Sequence, residues 1–262
     1  MKEKTGRSSW QRRQKKPGWI IWLWAAGLLL FFGLVAVPPS QAQAGHLAPQ
    51  FGFEGYGGSN QLTIFSPWVG ARLGLARNAS FILRAHYSRF GYEYWGSDGL
   101  GGQVKKDLRA DIGRMSGAFY LEGKRLTGYV SFAYLIGSRN YNGFFLDSGL
   151  EWKISSRASA LVSVYGIREK SNLWHPEEPL RWINTYSLRL GTRVWIFPQL
   201  AVNPNVYLIR NSEKVKSSAY SVGLVYTPQW WLAVTAYYFR YGEAAFYVFH
   251  GNYLSFGVNF YF

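Results

Sequence analysis

The chain has 262 residues, a formal net charge of +15, 19% aromatic residues and no cysteine. One compositional style beyond the first fifty residues leaves room for a single domain of about 220 residues, and the missing thiols exclude disulfides, thiolate metal sites and thiol redox chemistry. The basic residues are scattered instead of forming one stripe, which argues against a nucleic-acid surface.

The N-terminus sets Lys2, Lys4, Arg7, Arg12, Arg13, Lys15 and Lys16 against one acid, Glu3, and an apolar run over 19–37 follows. This reads as the charged and hydrophobic regions of a signal peptide. Pro38-Pro39 ends the run, and Ala42-x-Ala44 offers the small side chains of a cleavage site, so residues 1–44 are expected to be removed by the general secretory route. No Cys follows, which excludes a lipoprotein. The alternative is an uncleaved anchor, since 19 apolar residues nearly span a bilayer. Cleavage takes away seven of 29 basic and one of 14 acidic residues. The mature domain, 45–262, then carries 22 against 13, a charge of +9.

From residue 50 onward the hydrophobic period is 2. A first short strand is predicted over 50–56, where Phe51 and Phe53 alternate, and a second over 68–76. In the strand around 81–88, Phe81, Leu83, Ala85 and Tyr87 share the apolar face. The strand over 107–121 changes parity near Gly113-Arg114, which suggests a bulge. Over 126–136, Val130, Phe132, Tyr134 and Ile136 oppose Thr127, Ser131 and Ala133. Over 145–154, Leu146, Leu150, Trp152 and Ile154 oppose Asp147, Glu151 and Lys153. The clearest case is 182–197, with Tyr186, Leu188, Leu190, Val194 and Ile196 on one side and Ser187, Arg189, Gly191 and Arg193 on the other. Pro204 must remove a ladder hydrogen bond from the strand over 200–210, so a kink or weakened pairing with the strand before it is expected.

A soluble sandwich would also alternate. Three features favour a transmembrane barrel instead. Short connections near 77–79, 122–125, 155–157, 197–199 and 228–229 interleave with longer ones near 57–65, 96–106, 138–143, 169–180, 211–217 and 242–250, as short periplasmic turns and long outer loops do. Apolar faces end on rings such as Trp152, Trp182, Tyr220, Tyr226, Tyr238 and Phe260, suited to membrane interfaces. The last predicted strand sets Leu254, Phe256, Val258, Phe260 and Phe262 on one face. These features together resemble the bacterial outer-membrane β-barrel proteins as a class, with no subfamily indicated. The resemblance implies an all-β, antiparallel up-and-down barrel in the outer membrane of a Gram-negative bacterium, surrounded by outer-membrane lipid and lipopolysaccharide. It also implies an assembly machinery that reads Phe256, Val258, Phe260 and Phe262. Counting back from Phe262 on the periplasmic side requires an even number of strands and gives twelve; a miscounted short strand would make it ten or fourteen.

On this face assignment the lumen receives Arg72, Arg84, His86, Arg109, Asp111, Asp147, Glu151, Lys153, Arg189, Arg193, Asn203, Asn205 and Asn259. The surplus of Arg and Lys predicts a small porin-like channel that takes anionic small solutes; the competing reading is a salt-bridged, filled barrel that serves structure or secretion. A third reading is enzymatic. Arg84, His86 and Ser88 share a strand face, and His86-Tyr87-Ser88 resembles the His-x-Ser of outer-membrane phospholipase A and of the lipid A deacylase barrels, which would make His86 and Ser88 a base and nucleophile. Those families carry Asn directly after the Ser and face lipid; here Arg89 follows and His86 points inward. Of the other histidines, His46 and His250 lie outside any motif, and His175 with Glu177 and Glu178 forms a loop cluster that lacks the second histidine of a good metal site. Gly99, Gly101 and Gly102 precede no helix and read as outer loop, so neither metal nor cofactor is expected.

Overall fold

The computed structural model describes residues 45–173, 176–242 and 251–262. The expected signal segment, His175 and His250 lie outside them. Twelve strands follow one another: β1 Leu47–Gly58, β2 Thr63–Ala76, β3 Ala79–Ser97, β4 Gln103–Glu122, β5 Leu126–Gly137, β6 Asn142–Lys153, β7 Ala158–Ser171, β8 Arg181–Phe197, β9 Leu200–Asn211, β10 Lys216–Gln229, β11 Leu232–Tyr241 and β12 Gly251–Tyr261. Each pairs antiparallel with its sequence neighbours, and β1 pairs with β12 to close the barrel. Closure removes the two sheet edges that a cysteine-free chain would otherwise have to protect.

At the closing seam, Phe51 stacks on Phe260 at 4.7 Å and on Phe262 at 5.7 Å between ring centres. Gly52 is required there, because a Cβ on it would stand 2.4 Å from the Val258 carbonyl oxygen and 2.8 Å from the Trp68 indole nitrogen. The short first strand inferred from Phe51 and Phe53 is therefore the element that completes the even count.

The outer wall is apolar. Leu146, Phe132, Leu208 and Phe256 are 57%, 54%, 53% and 49% exposed, and such side chains continue round the barrel in a belt far larger than a water-soluble monomer leaves bare. Short turns lie at one end, at 77–78, 123–125, 154–157, 198–199 and 230–231. The last of these falls two residues later than expected, because β10 runs on through Pro228 to Gln229. Longer connections occupy the other end.

β3 and β4 contain 19 and 20 residues, roughly twice the 9–11 needed to cross a bilayer. Their register runs unbroken from Ala79↔Leu121 to Ser97↔Gln103, so the bulge expected near Gly113-Arg114 is absent. The sequence changes character because the surroundings change. Beyond Leu83 and Met115 the outward positions become Tyr87, Arg89, Arg109 and Asp111, while the inward ones become Phe90, Tyr92, Leu108 and Ala110, all buried. Arg109 and Asp111 thus belong to the outer face, not to the lumen. Asp111 there accepts hydrogen bonds from Tyr87 (2.6 Å) and Arg89 (3.0 Å).

The inward apolar residues of this projecting hairpin join Leu62, Tyr141, Leu173 and Tyr253 in a cluster that packs the long-loop end of the interior. Tyr92 donates to the Leu173 carbonyl and Tyr141 to Glu169 (2.9 Å), which satisfies the polar ends of rings that otherwise contribute apolar area.

Besides the register shifts beside the short turns, at 74–76, 195–197 and 226–229, prolines mark two gaps in the ladders. β9 stays in register with β10 through Val222↔Pro204, but its ladder to β8 passes from Gly191↔Asn205 to Val194↔Val202. On β2, the ladder to β3 likewise passes over Pro67, from Phe65↔Arg89 to Trp68↔His86. Each Pro has no N–H to give the neighbour on that side.

Candidate functional site

Alternation places Gln50, Glu54, Trp68, Arg84, His86 and Arg114 on the interior side of β1 to β4. The Arg84 guanidinium lies 4.4 Å from the centre of the Trp68 ring and donates to Gln50 Oε1 at 3.3 Å. His86 stacks on the other ring neighbour, with 5.9 Å between its centre and that of Trp68, and its Nε2 is 3.4 Å from Arg114 Nη2. Arg114 in turn reaches the Phe145 ring at 5.9 Å and interacts electrostatically with Glu54 and Tyr56 across the interior. This half of the barrel is filled by stacked cations and aromatics.

The other half is polar and partly open. Arg193 Nη1 donates to both oxygens of Glu151 at 3.1 Å, and Ser159 Oγ donates to Glu151 at 2.6 Å. Asp147 accepts from Tyr129 at 3.1 Å through one oxygen, while its other oxygen is buried without a partner. Asn205 donates to Ser221 Oγ at 3.1 Å, and Asn203 donates to the Tyr237 hydroxyl at 3.3 Å. Two cavities lie among these groups. One, of about 210 Å³, is bordered by Glu54, Arg189, Arg193, Asn203 and Tyr237. The second, of about 230 Å³, is bordered by Asp147, Ser163, Thr185, Arg189 and Tyr241. Each has room for several waters, at about 30 Å³ apiece. Arg189 and Tyr207 border both. Arg189 is thus part of both walls, with its Nε buried and without a hydrogen-bond partner.

Among the described residues, and leaving aside Lys106 and Arg181, which pair with Glu177, Glu178 and Glu213 at the outer rim, the interior carries Arg72, Arg84, Arg114, Lys153, Arg189 and Arg193 against Glu54, Glu122, Asp147, Glu151 and Glu169. The surplus is a single positive charge, smaller than the sequence suggested. Arg72 is paired with Glu122 at 2.8 Å and Arg193 with Glu151. Arg84, Arg114 and Arg189 have no carboxylate within 4 Å among the described residues, although Asp147 acts electrostatically near Arg189. Lys153 sits exposed at the short-turn end, and Asn259 faces inward opposite Gly52.

Four interior charges were missed from sequence. Arg114 was hidden by the parity change in β4, and Glu54 by a first strand read only from its phenylalanines. Glu122 and Glu169 were assigned to connections, whereas both belong to strands.

His86 and Ser88 do not meet. Ser88 Oγ lies 2.7 Å from Ser66 Oγ, and the imidazole faces Arg114. Both point into the barrel, away from lipid, so the arrangement contains no hydroxyl activated by a base.

No protein-family model matches the chain, and no curated protein matches it in sequence. Solved structures match the fold. The KdgM porin is 8% identical with a TM-score of 0.57 over 81% of this chain and 99% of that one. The COG4313 outer membrane channel from Pseudomonas putida F1 is 9% identical with a TM-score of 0.58, over 86% and 100%. The translocator domain of autotransporter NalP from Neisseria meningitidis is 10% identical with a TM-score of 0.52, over 94% and 96%. At these identities the likeness is one of architecture. The chain has the closed, twelve-stranded fold of bacterial outer-membrane β-barrels.

Proposed function

We propose that this chain, exported and cleaved after Ala44, is a small outer-membrane channel for polar solutes with a modest preference for anions. Its short turns face the periplasm and its long connections face outward, and β12 with Phe256, Val258, Phe260 and Phe262 is the strand offered to the assembly machinery. The observation that carries the channel reading is the pair of interior cavities that share Arg189 and Tyr207 in their walls. Two of the fold neighbours, the KdgM porin and the COG4313 outer membrane channel, lend further support. A guanidinium that stays charged at any physiological pH, held in a narrow polar passage, raises the local concentration of anions.

The competing reading, a non-conducting barrel, is favoured by the apolar cluster around Tyr92, Tyr141 and Leu173 at the outer end. Conductance of the folded protein in planar bilayers separates the two. Current with a reversal potential on the anion side under a salt gradient supports the channel. Silence from protein shown to be folded by its heat-dependent electrophoretic mobility rules it out.

A further inference from the structure

Most cations at the outer end fall into two groups. Apart from Arg109, Arg139 and Lys214, which are exposed with no acidic partner within 4 Å among the described residues, those on β3, on β4 and at the start of β8 are matched: Arg89 with Asp111, Lys105 with Glu93, Lys106 with Glu177, and Arg181 with Glu178 and Glu213. On the outward face of β7 to β11 they are not. Arg168, Arg210, Lys216 and Arg240 are all exposed, and none has an acidic partner within 4 Å among the described residues.

Their register makes the imbalance sharper. Arg210 on β9 stands directly opposite Lys216 on β10, an arrangement of like charges that destabilises a sheet unless something neutralises it. Arg210 is also opposite Tyr186, and Arg240 is opposite Tyr220. Arg168 lies 5.1 Å from the centre of the Trp182 ring. These outward rings are of the kind that settle at the boundary between hydrocarbon and headgroup. The four cations therefore stand at headgroup level, on neighbouring strands, with guanidinium forks suited to phosphate oxygens and an ammonium suited to a point anion.

From this placement we propose that the outer rim of β7 to β11 binds the phosphate groups of lipopolysaccharide, the phosphorylated glycolipid of the outer leaflet. The proposal rests on the orientation given above, long connections outward, and not on conduction. Phosphate relieves the repulsion between Arg210 and Lys216, while the acyl chains lie against the apolar belt below.

The test uses folded protein in zwitterionic detergent, titrated with lipopolysaccharide, with enzymatically dephosphorylated lipopolysaccharide, with phosphatidylglycerol and with inorganic phosphate. The variant is Arg210→Gln combined with Lys216→Gln. At about fivefold per basic residue near an anionic lipid surface, the double variant should bind lipopolysaccharide about 25-fold more weakly. The dephosphorylated glycolipid should bind the two proteins alike. Without glycolipid, the variant should unfold at the same temperature or higher, because a repulsion has been removed; added lipopolysaccharide should raise the unfolding temperature of the unsubstituted protein more. Equal lipopolysaccharide affinity for both proteins overturns the site. Phosphatidylglycerol or inorganic phosphate binding as tightly as lipopolysaccharide overturns its assignment to the glycolipid. A protein that conducts but does not discriminate loses this site alone, whereas one that binds through these residues without conducting loses only the channel.

Discussion

Arg189 borders both cavities, so its charge is the most direct handle on the proposed permeation. Taking the interior surplus as one unit charge about 7 Å from a passing ion in a water-like medium, the interaction is on the order of 0.6 kcal/mol. An anion gains that amount and a cation loses it, which makes the anion-to-cation ratio about 7 for the unsubstituted protein. Arg189→Gln removes the surplus and should bring the ratio to about 1; Arg189→Glu leaves a negative charge and should invert it to about 1 to 7. Glu151→Gln acts in the opposite sense, because it frees Arg193 from its pairing at 3.1 Å, and should raise the ratio to about 50. The assay is the reversal potential across a planar bilayer under a KCl gradient. All three differences from the unsubstituted protein should shrink from 0.1 M to 1 M salt as the screening length falls from about 10 Å to about 3 Å. A selectivity unmoved by both Arg189→Glu and Glu151→Gln, in folded and conducting protein, would show that these groups do not line the path.

Truncating the outer cluster with Tyr92→Ala and Tyr141→Ala should raise single-channel conductance severalfold and lower the unfolding temperature, since loss of a packed aromatic side chain costs about 3–5 kcal/mol; unchanged conductance would mean that ions pass elsewhere. Gly52→Ala should weaken the β1–β12 seam, because its methyl group would collide with the Val258 carbonyl and the Trp68 indole; the check is a lower temperature for the heat-dependent mobility shift, and an unshifted transition would refute the close approach. Detergent-solubilised protein should release no fatty acid from phospholipid or lipid A, given that His86 and Ser88 bond to other partners; release that both His86→Ala and Ser88→Ala abolish would restore the hydrolase reading. In the outer connections, the Lys106 ammonium at 2.8 Å and the Ser97 amide hold the Glu177 carboxyl below the usual carboxylate range. A depressed acid lends its contact above the unfolded-state value and loses it as pH falls through the folded one, so Ser97 amide exchange, corrected for its intrinsic rate, should lose protection only in the acidic range. Protection that falls instead on raising the pH from neutral would contradict this pairing.

The barrel was legible because its signals are repeated. A period of 2, alternating loop lengths and aromatic strand ends recur on strand after strand, and the parity of the count repaired the weakest member, β1. The interior was read less well, and β4 shows why. Face assignment from sequence takes apolar as outward, which holds only while hydrocarbon lies outside. Over the length that crosses the belt, Met115, Phe119 and Leu121 point out and Arg114 and Ser116 point in; six residues before Met115 and Arg114 the same strand shows water its Arg109 and buries Leu108. One unbroken register therefore reads as two opposite patterns, and the apparent bulge at Gly113-Arg114 is the point at which the outer solvent changes. The same boundary explains the unmatched cations on the far side of the barrel. Arg210 and Arg240 follow apolar outward runs that end at Leu208 and Tyr238, so each marks the level at which hydrocarbon gives way to headgroups. Pairing partners of this kind cannot be found from alternation, because they depend on which strands become neighbours and on what surrounds them. Arg189 was found because its strand stays within the belt; its lack of a carboxylate partner required the closed barrel, in which Glu151 is already committed to Arg193 and Asp147 to Tyr129.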